Sequence, residues 1–309
     1  MIPHKHKILL LTVSMLFVAF IAENCYSNSQ QIVMKVNGIA QQGKGVILWA
    51  HNGYVKLFSD NNWLSKRKIN LLPITSAIND EMSIGVLITG ARPNKDDIED
   101  AVVINMDNAG KILRSWVLKN NLFWSVYSGS EGRYATTGDG YLVSLNNDET
   151  VEKIQKVGGR VNIVYMDKSS RILCQDRKNT KESPREPHCT REGDVSWEAT
   201  GQWHITPVKC GDFIVEDWSS HGKKGVLVRS IQNGVIVKEH ELSEISSIVC
   251  HDNKQIFVKS AGLKVFSIPD LLPNKTAKVC KAKNVDSYTI SDNRLYCLSG
   301  SGKLEMVDL

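Results

Sequence analysis

Five glycines in this chain each lead into a short run of alternating apolar residues: Gly53-Tyr-Val-Lys-Leu-Phe, Gly140-Tyr-Leu-Val-Ser-Leu, Gly225-Val-Leu-Val-Arg-Ser, Gly262-Leu-Lys-Val-Phe-Ser and Gly302-Lys-Leu-Glu-Met-Val. A period of two is the mark of a half-buried strand, and its recurrence commits the chain to a repeating, all-strand fold. Successive glycines lie 87, 85, 37 and 40 positions apart, so a diverged copy sits inside each long interval. A strand-only unit of about 40 residues has the length of a β-propeller blade.

A second marker, a polar turn followed by an apolar strand, recurs at Gly45, Ile84, Arg133, Arg171, Phe213, Gln255 and Arg294, with spacings of 39, 49, 38, 42, 42 and 39 residues. Turn pairs such as Asn52-Gly53 and Asp139-Gly140 suit tight hairpins, because glycine takes up positive φ without steric cost. The fold class expected is therefore all-β, a propeller of seven four-stranded blades; six blades with ragged ends is the competing count. The last copy starts at Gly302 and stops at Leu309, one strand short of a blade. Gln31-Ile-Val-Met-Lys-Val is expected to pair beside the Lys303 to Asp308 strand and close the ring, which removes two exposed strand edges.

The first 27 residues read as an export signal: Lys5 and Lys7 precede an apolar stretch from Ile8 to Ala22, followed by small or neutral residues up to Ser27. Fifteen apolar residues are short for a membrane span, which needs about 20. Residues 28–309 are then a single propeller domain, exported to a periplasm or beyond, with no membrane span after cleavage; an uncleaved anchor is the alternative. Removing Lys5, Lys7 and Glu23 from 38 basic and 33 acidic side chains leaves 36 and 32, a net charge of +4. That balance gives no electrostatic case for a nucleic-acid partner.

Six cysteines remain after the signal: Cys174, Cys189, Cys210, Cys250, Cys280 and Cys297. An even number in an exported chain reads as disulfides, with fifteen possible connectivities. The repeat register narrows the choice. Cys174 and Cys189 flank a polar hairpin insertion. Cys210 and Cys250 hold matching places on the first strands of consecutive blades, and Cys280 and Cys297 are left. Buried thiols or a zinc site are the alternative, although no Cys-x-x-Cys pair occurs.

The segment Ala101-Val-Val-Ile-Asn-Met-Asp-Asn-Ala-Gly-Lys-Ile-Leu-Arg-Ser-Trp116 resembles the outer hairpin of the pyrroloquinoline-quinone dehydrogenase-like propellers, in which an aspartate and a Gly-Lys turn lead to a tryptophan. In that family tryptophans recur blade after blade, whereas no counterpart to Trp116 follows Asn146, Asn233 or Pro269, and no adjacent cysteine pair is present. The resemblance implies the fold and not the cofactor, so none is expected. The Gly-His and Trp-Asp pairs of WD repeats do not recur.

Chemistry leaves few marks. Asp96, Asp97, Glu99 and Asp100 cluster, but without the glycine and alternating ligands of a calcium loop. Six histidines, His51, His188, His204, His221, His240 and His251, are scattered over several blades with no His-Glu-x-x-His, so no metal site is expected. There is no Gly-x-Ser-x-Gly elbow and no Ser-x-Asp-x-Gly-x-x-Trp box; Ser125 reads as a strand residue rather than a nucleophile, and no catalytic residue is assigned.

In four-stranded blades the turns between second and third strands share a face with the crossovers between blades. That face is expected to carry His51, Arg92, Asp139, Arg185, Trp218 and His221 as binding residues, with Trp218 an exposed anchor and Arg185 on the loop framed by Cys174 and Cys189. The function read from this is a monomeric, protein-binding scaffold. A propeller enzyme or cofactor binder acting on a quinone, sugar or other small molecule in the central channel is the alternative. An envelope immunity or inhibitor protein against a toxin is a narrower version of the scaffold.

Overall fold

The computed structural model describes residues 30–31, 36–42, 44–59, 62–64, 66–83, 85–93, 99–166, 170–175, 188–191, 196–198, 205–281 and 284–309. The export signal lies outside them, as do the acidic residues 96–97 and the loop bearing Arg185. Among the described residues there is no helix, and hence none long and apolar enough to cross a membrane.

The strands form seven antiparallel sheets. Blade 1 is Gly38–Gln42, Gly45–Trp49, Tyr54–Ser59 and Asn62–Trp63; blade 2 is Ile74–Asp80, Gly85–Pro93, Glu99–Asp107 and Ile112–Leu118; blade 3 is Phe123–Gly129, Gly132–Thr137, Tyr141–Leu145 and Val151–Lys156. Blade 4 is Val161–Met166, Arg171–Gln175, His188–Arg191 and Ser196–Glu198; blade 5 is Val208–Cys210, Phe213–Ser220, Lys223–Ser230 and Ile236–Glu241. Blade 6 has three strands, Ser247–His251, Gln255–Lys259 and Leu263–Ser267, and blade 7 has Val285–Ser291, Arg294–Ser299 and Lys303–Asp308. Its fourth strand is Gln30–Gln31, paired antiparallel with Leu304 and Lys303; of the expected Gln31 to Val36 strand only Gln31 takes part among the described residues, and 32–35 lie outside them. A strand from the start of the chain thus completes the last blade.

Each innermost strand lies beside that of the next blade, and the seventh lies beside the first. The core divides accordingly into seven apolar clusters, one at each seam between blades. Ala40, Ile47 and Leu57 meet Ile74, Val86 and Ile104 between blades 1 and 2, and Val46, Leu48 and Phe58 meet Tyr296, Leu298 and Leu304 where blade 7 meets blade 1. This sandwiching explains the second marker in the sequence. A second strand is covered on both faces, so Val46-Ile47-Leu48, Val86-Leu87-Ile88 and Ile256-Phe257-Val258 are apolar without alternation and wholly or almost wholly buried. Outermost strands such as Val151–Lys156 have one covered face at most and are mostly exposed.

Turns follow from local chemistry. Gly140 sits at φ +88°, and a Cβ there would come 2.9 Å from the Gly158 backbone, so the hairpin of blade 3 requires glycine. Blade 6 lacks a regular fourth strand. Pro269 and Pro273 lie in the segment after Leu263–Ser267, and proline gives a ladder no N–H; the isolated Phe266–Pro273 bridge and scattered bonds, such as Asn274 N–H to Val265 O at 2.8 Å and Ser267 N–H to Leu272 O at 3.0 Å, join it to the sheet in place of a regular ladder.

Three disulfides join the pairs to which the repeat register pointed. Cys174–Cys189 crosses two paired strands at the base of the blade 4 insertion. Cys210–Cys250 staples the innermost strands of blades 5 and 6. Cys280–Cys297 ties the irregular edge of blade 6 to blade 7.

Two seams carry a repeated polar lock. Trp116, on the outer strand of blade 2, is fully buried and donates through Nε1 to Asn146 O of blade 3 at 2.7 Å. The Arg133 guanidinium lies 5.7 Å from its ring centroid and pairs with buried Asp80 at 2.8 Å. Trp197, on the outer strand of blade 4, repeats this with Arg229 and Glu216 of blade 5: its Nε1 donates to Glu216 Oε1 at 2.9 Å, and Arg229 lies 5.9 Å from its ring. Trp116 thus has a partial counterpart in blade 4, while no tryptophan follows Asn146, Asn233 or Pro269 in blades 3, 5 and 6.

Candidate interaction site

The turns between second and third strands do lie on the side of the ring that carries the crossovers between blades, hereafter the loop face. His51 is exposed there, but its Nδ1 is 2.7 Å from Ile74 O, so the ring joins blade 1 to blade 2. Arg92 is half-buried, and its Nε has no hydrogen-bond partner among the described residues. Asp139 is held by the Thr137 hydroxyl and by Lys153 Nζ at 3.2 Å. The Thr137 hydrogen bond does most to hold its carboxyl down, at about 2, against a small upward push from burial. His221, exposed and at φ +49°, has Nδ1 2.8 Å from Ser220 Oγ. Trp218 departs from expectation. It is 8 % exposed and packs against Gly225, where a Cβ would come 2.8 Å from Nε1. It is a blade-packing residue rather than a surface anchor, because its strand is the doubly covered second strand of blade 5. No hydrogen bond, ion pair or ring contact among the described residues joins any two of these side chains.

A concavity lies elsewhere on the loop face, between the innermost strands of blades 2 and 3. It is a cleft of ≈ 600 Å³ whose lining includes Pro73, Thr75, Thr89, Leu122, Phe123 and Trp124. None of the five described residues above lines it. Three large apolar side chains stand exposed at or beside it: Leu72 at 41 %, Leu122 at 49 % and Trp124 at 39 %.

Each is presented by a fixed backbone. The Leu72 N–H donates to Ala91 O at 2.8 Å, and the Ala91 N–H donates to Pro73 O at 3.1 Å. The Leu122 N–H donates to Asn121 Oδ1 at 2.8 Å, and Leu122 O accepts from the Gly138 N–H at 2.9 Å. A Cβ on Gly138 would come 2.8 Å from Leu122 Cγ, so the absence of a side chain there makes room for the leucine.

Trp124 is aimed by a β-bulge. Phe123 pairs with Thr137 and Ser125 with Thr136, so Trp124 is the extra residue of its strand. The same irregularity falls at Thr75 in blade 2 and at Asp286 in blade 7. The bulge thus belongs to the repeat, bending inner strands at their loop-face ends. What is particular to blade 3 is a tryptophan in that position. The Arg160 guanidinium lies 5.5 Å from the Trp124 ring centroid. Next along, Ser125 Oγ accepts from the Ile163 N–H at 3.2 Å, the contact of a strand residue at a seam.

This cleft was not legible in the alternating pattern, because a bulge breaks the period by which strands are read. The signal available was a tryptophan at the entry of an innermost strand, after Asn120-Asn121.

No protein-family model matches the chain, and no curated protein matches its sequence. Solved structures do match, at 11 % identity over 91 % of this chain. They include BBS1N in complex with ARL6DN, soaked with lead (TM-score 0.64, 96 % of that chain). BamB from Moraxella catarrhalis (0.55, 98 %) and the computationally designed Ika8 protein (0.57, 98 %) also match. Likeness at this identity shows the seven-bladed β-propeller fold alone.

Proposed function

We propose that the protein is an exported scaffold that docks another protein on its loop face, with the cleft between blades 2 and 3 as the centre of the contact. The observation that carries this is the exposure of Trp124, Leu122 and Leu72 on hydrogen-bonded, rigid backbone around one concavity. Large aromatic anchors beside arginine, pre-ordered before binding, are the features that concentrate binding energy at protein interfaces. Export is supported by the three disulfides, which persist in oxidising compartments, and by the apolar stretch from Ile8 to Ala22. One of the solved neighbours, BBS1N, is itself in complex with ARL6DN.

The test is a pull-down from an envelope extract of the native cell, analysed by native mass spectrometry, with Trp124→Ala and His221→Ala in parallel. A stoichiometric protein partner lost with Trp124→Ala and kept with His221→Ala is the expected result. A lone chain carrying extra small-molecule mass would overturn this reading in favour of a small-molecule binder.

A further inference from the structure

The cleft has a charge as well as a shape, and the charge specifies what enters it. Arg160 lies over the Trp124 ring, and among the described residues no carboxylate is within ion-pair distance of it. Its backbone is fixed in the left-handed region at φ +57°, and the side chain is exposed. Lys119 stands exposed one residue before the cleft-lining Asn120. Two carboxylates close in sequence to the lining are already engaged: Asp100 Oδ1 accepts from the Asn120 N–H at 3.2 Å, and Asp80 is paired with Arg133 at 2.8 Å. An apolar trough whose rim carries a guanidinium with no ion-pair partner among the described residues complements one chemistry.

We infer that the occupant of the cleft is an extended acidic segment of the partner protein, one that places a bulky apolar side chain against Trp124 and Leu122 and a carboxylate against Arg160. This rests on the docking function proposed above and adds the partner's chemistry to it. A carboxylate matches the planar fork of a guanidinium in bidentate geometry, and the Arg160 guanidinium lies over the Trp124 ring beside it. Burial of the apolar side chain supplies most of the affinity, and the charge supplies selection among partners.

The experiment uses the full chain with its disulfides formed and two labelled probe peptides, read by fluorescence anisotropy. Both carry a central Phe-Leu pair; one is flanked by aspartates, the other by lysines. The acidic probe is expected to bind about tenfold more tightly than the basic one. Trp124→Ala is expected to weaken it by about 30-fold, and Arg160→Glu to erase or invert the preference between probes. A preference that Arg160→Glu leaves unchanged, or that favours the lysine probe in the unaltered protein, overturns the inference. The docking function survives that outcome if Trp124→Ala still weakens whichever probe binds. Binding of either probe that is indifferent to Trp124→Ala defeats both readings, as does no binding of either probe at about 1 mM.

Discussion

Replacing Asp80 with asparagine removes one negative charge from the seam between blades 2 and 3 at almost constant volume, and the structure fixes what is left behind. The Asp80 carboxylate is buried, with Arg133 Nε 3.0 Å from both oxygens and Nη2 2.8 Å from Oδ2. Ser128 Oγ donates at 2.6 Å, Ser83 Oγ at 2.5 Å and Asn105 Nδ2 at 2.7 Å. In the variant the Arg133 charge, whose side chain is 2 % exposed, faces a neutral amide with one accepting oxygen in place of the carboxylate, beside the Asn147 Oδ1 contact at 3.0 Å and the Trp116 ring. Stranding one member of a buried pair costs about 3–5 kcal/mol, because the remaining charge stays desolvated without its partner. Equilibrium urea unfolding of the oxidised chain should show that loss near neutral pH. Asp80→Asn combined with Arg133→Met should cost less than Asp80→Asn alone, since the stranded charge is gone. The pH dependence has a definite sign. Burial pushes the Asp80 carboxyl upward, but the hydrogen bonds from Arg133, Ser128 and Ser83 and the Arg133 charge outweigh it and hold the group below its ordinary 3.8. Its contribution is therefore complete above that value and is lost as pH falls through the folded-state value. The gap between the native protein and Asp80→Asn should narrow in acid. A variant within about 0.5 kcal/mol of the native protein at neutral pH, the range of ordinary surface substitutions, would refute the reasoning. So would a gap that does not change with pH.

Removing the Cys210–Cys250 staple with paired serines should destabilise by about 4 kcal/mol from chain entropy over its 40-residue separation. Calorimetry should place that loss above the one from removing Cys174–Cys189, whose separation is 15. Trp116→Phe keeps an aromatic ring of smaller volume and removes the 2.7 Å bond to Asn146 O, which retains the Glu149 N–H at 3.1 Å; a loss of about 1–3 kcal/mol by urea unfolding is expected from the lost bond and the vacated space together, with no change in peptide binding at the cleft. The Asp139 carboxyl should titrate by NMR near about 2, and its small contribution to stability, screened because the side chain is 41 % exposed, should fade as pH falls toward that value.

The sequence made the frame legible and left the cleft hidden, for separate physical reasons. Second strands are covered on both sides, so Val46-Ile47-Leu48 and Leu295-Tyr296-Cys297 stand out as unbroken apolar runs, and all seven markers fall on second strands. Ring closure followed from arithmetic, since the last blade lacked a strand, and Gln30–Gln31 supplies it. Matching places on consecutive blades gave the Cys210–Cys250 pair. Other features depend on what period and spacing do not encode. Trp218 lies among serines and before a turn, which suggests a surface residue, yet its strand is buried between neighbouring blades. Trp197 stands on the outer strand of blade 4 as Trp116 does on that of blade 2, but its indole meets a carboxylate of the next blade that no local pattern announces. Trp124 faces outward only because one residue bulges from its ladder, and the basic rim at Arg160 exists only once blade 3 passes into blade 4.

The most direct test of docking at the blade 2–3 cleft is site-specific photocross-linking in the native cell. A benzophenone amino acid replaces Leu122 in one strain, and Lys254 or Asp292, on the turns of the opposite face, in others. A discrete protein adduct from position 122, absent at 254 and 292, is the predicted result. Adducts from 254 or 292 with none from 122 would contradict it, and would move the interaction to the other face of the ring.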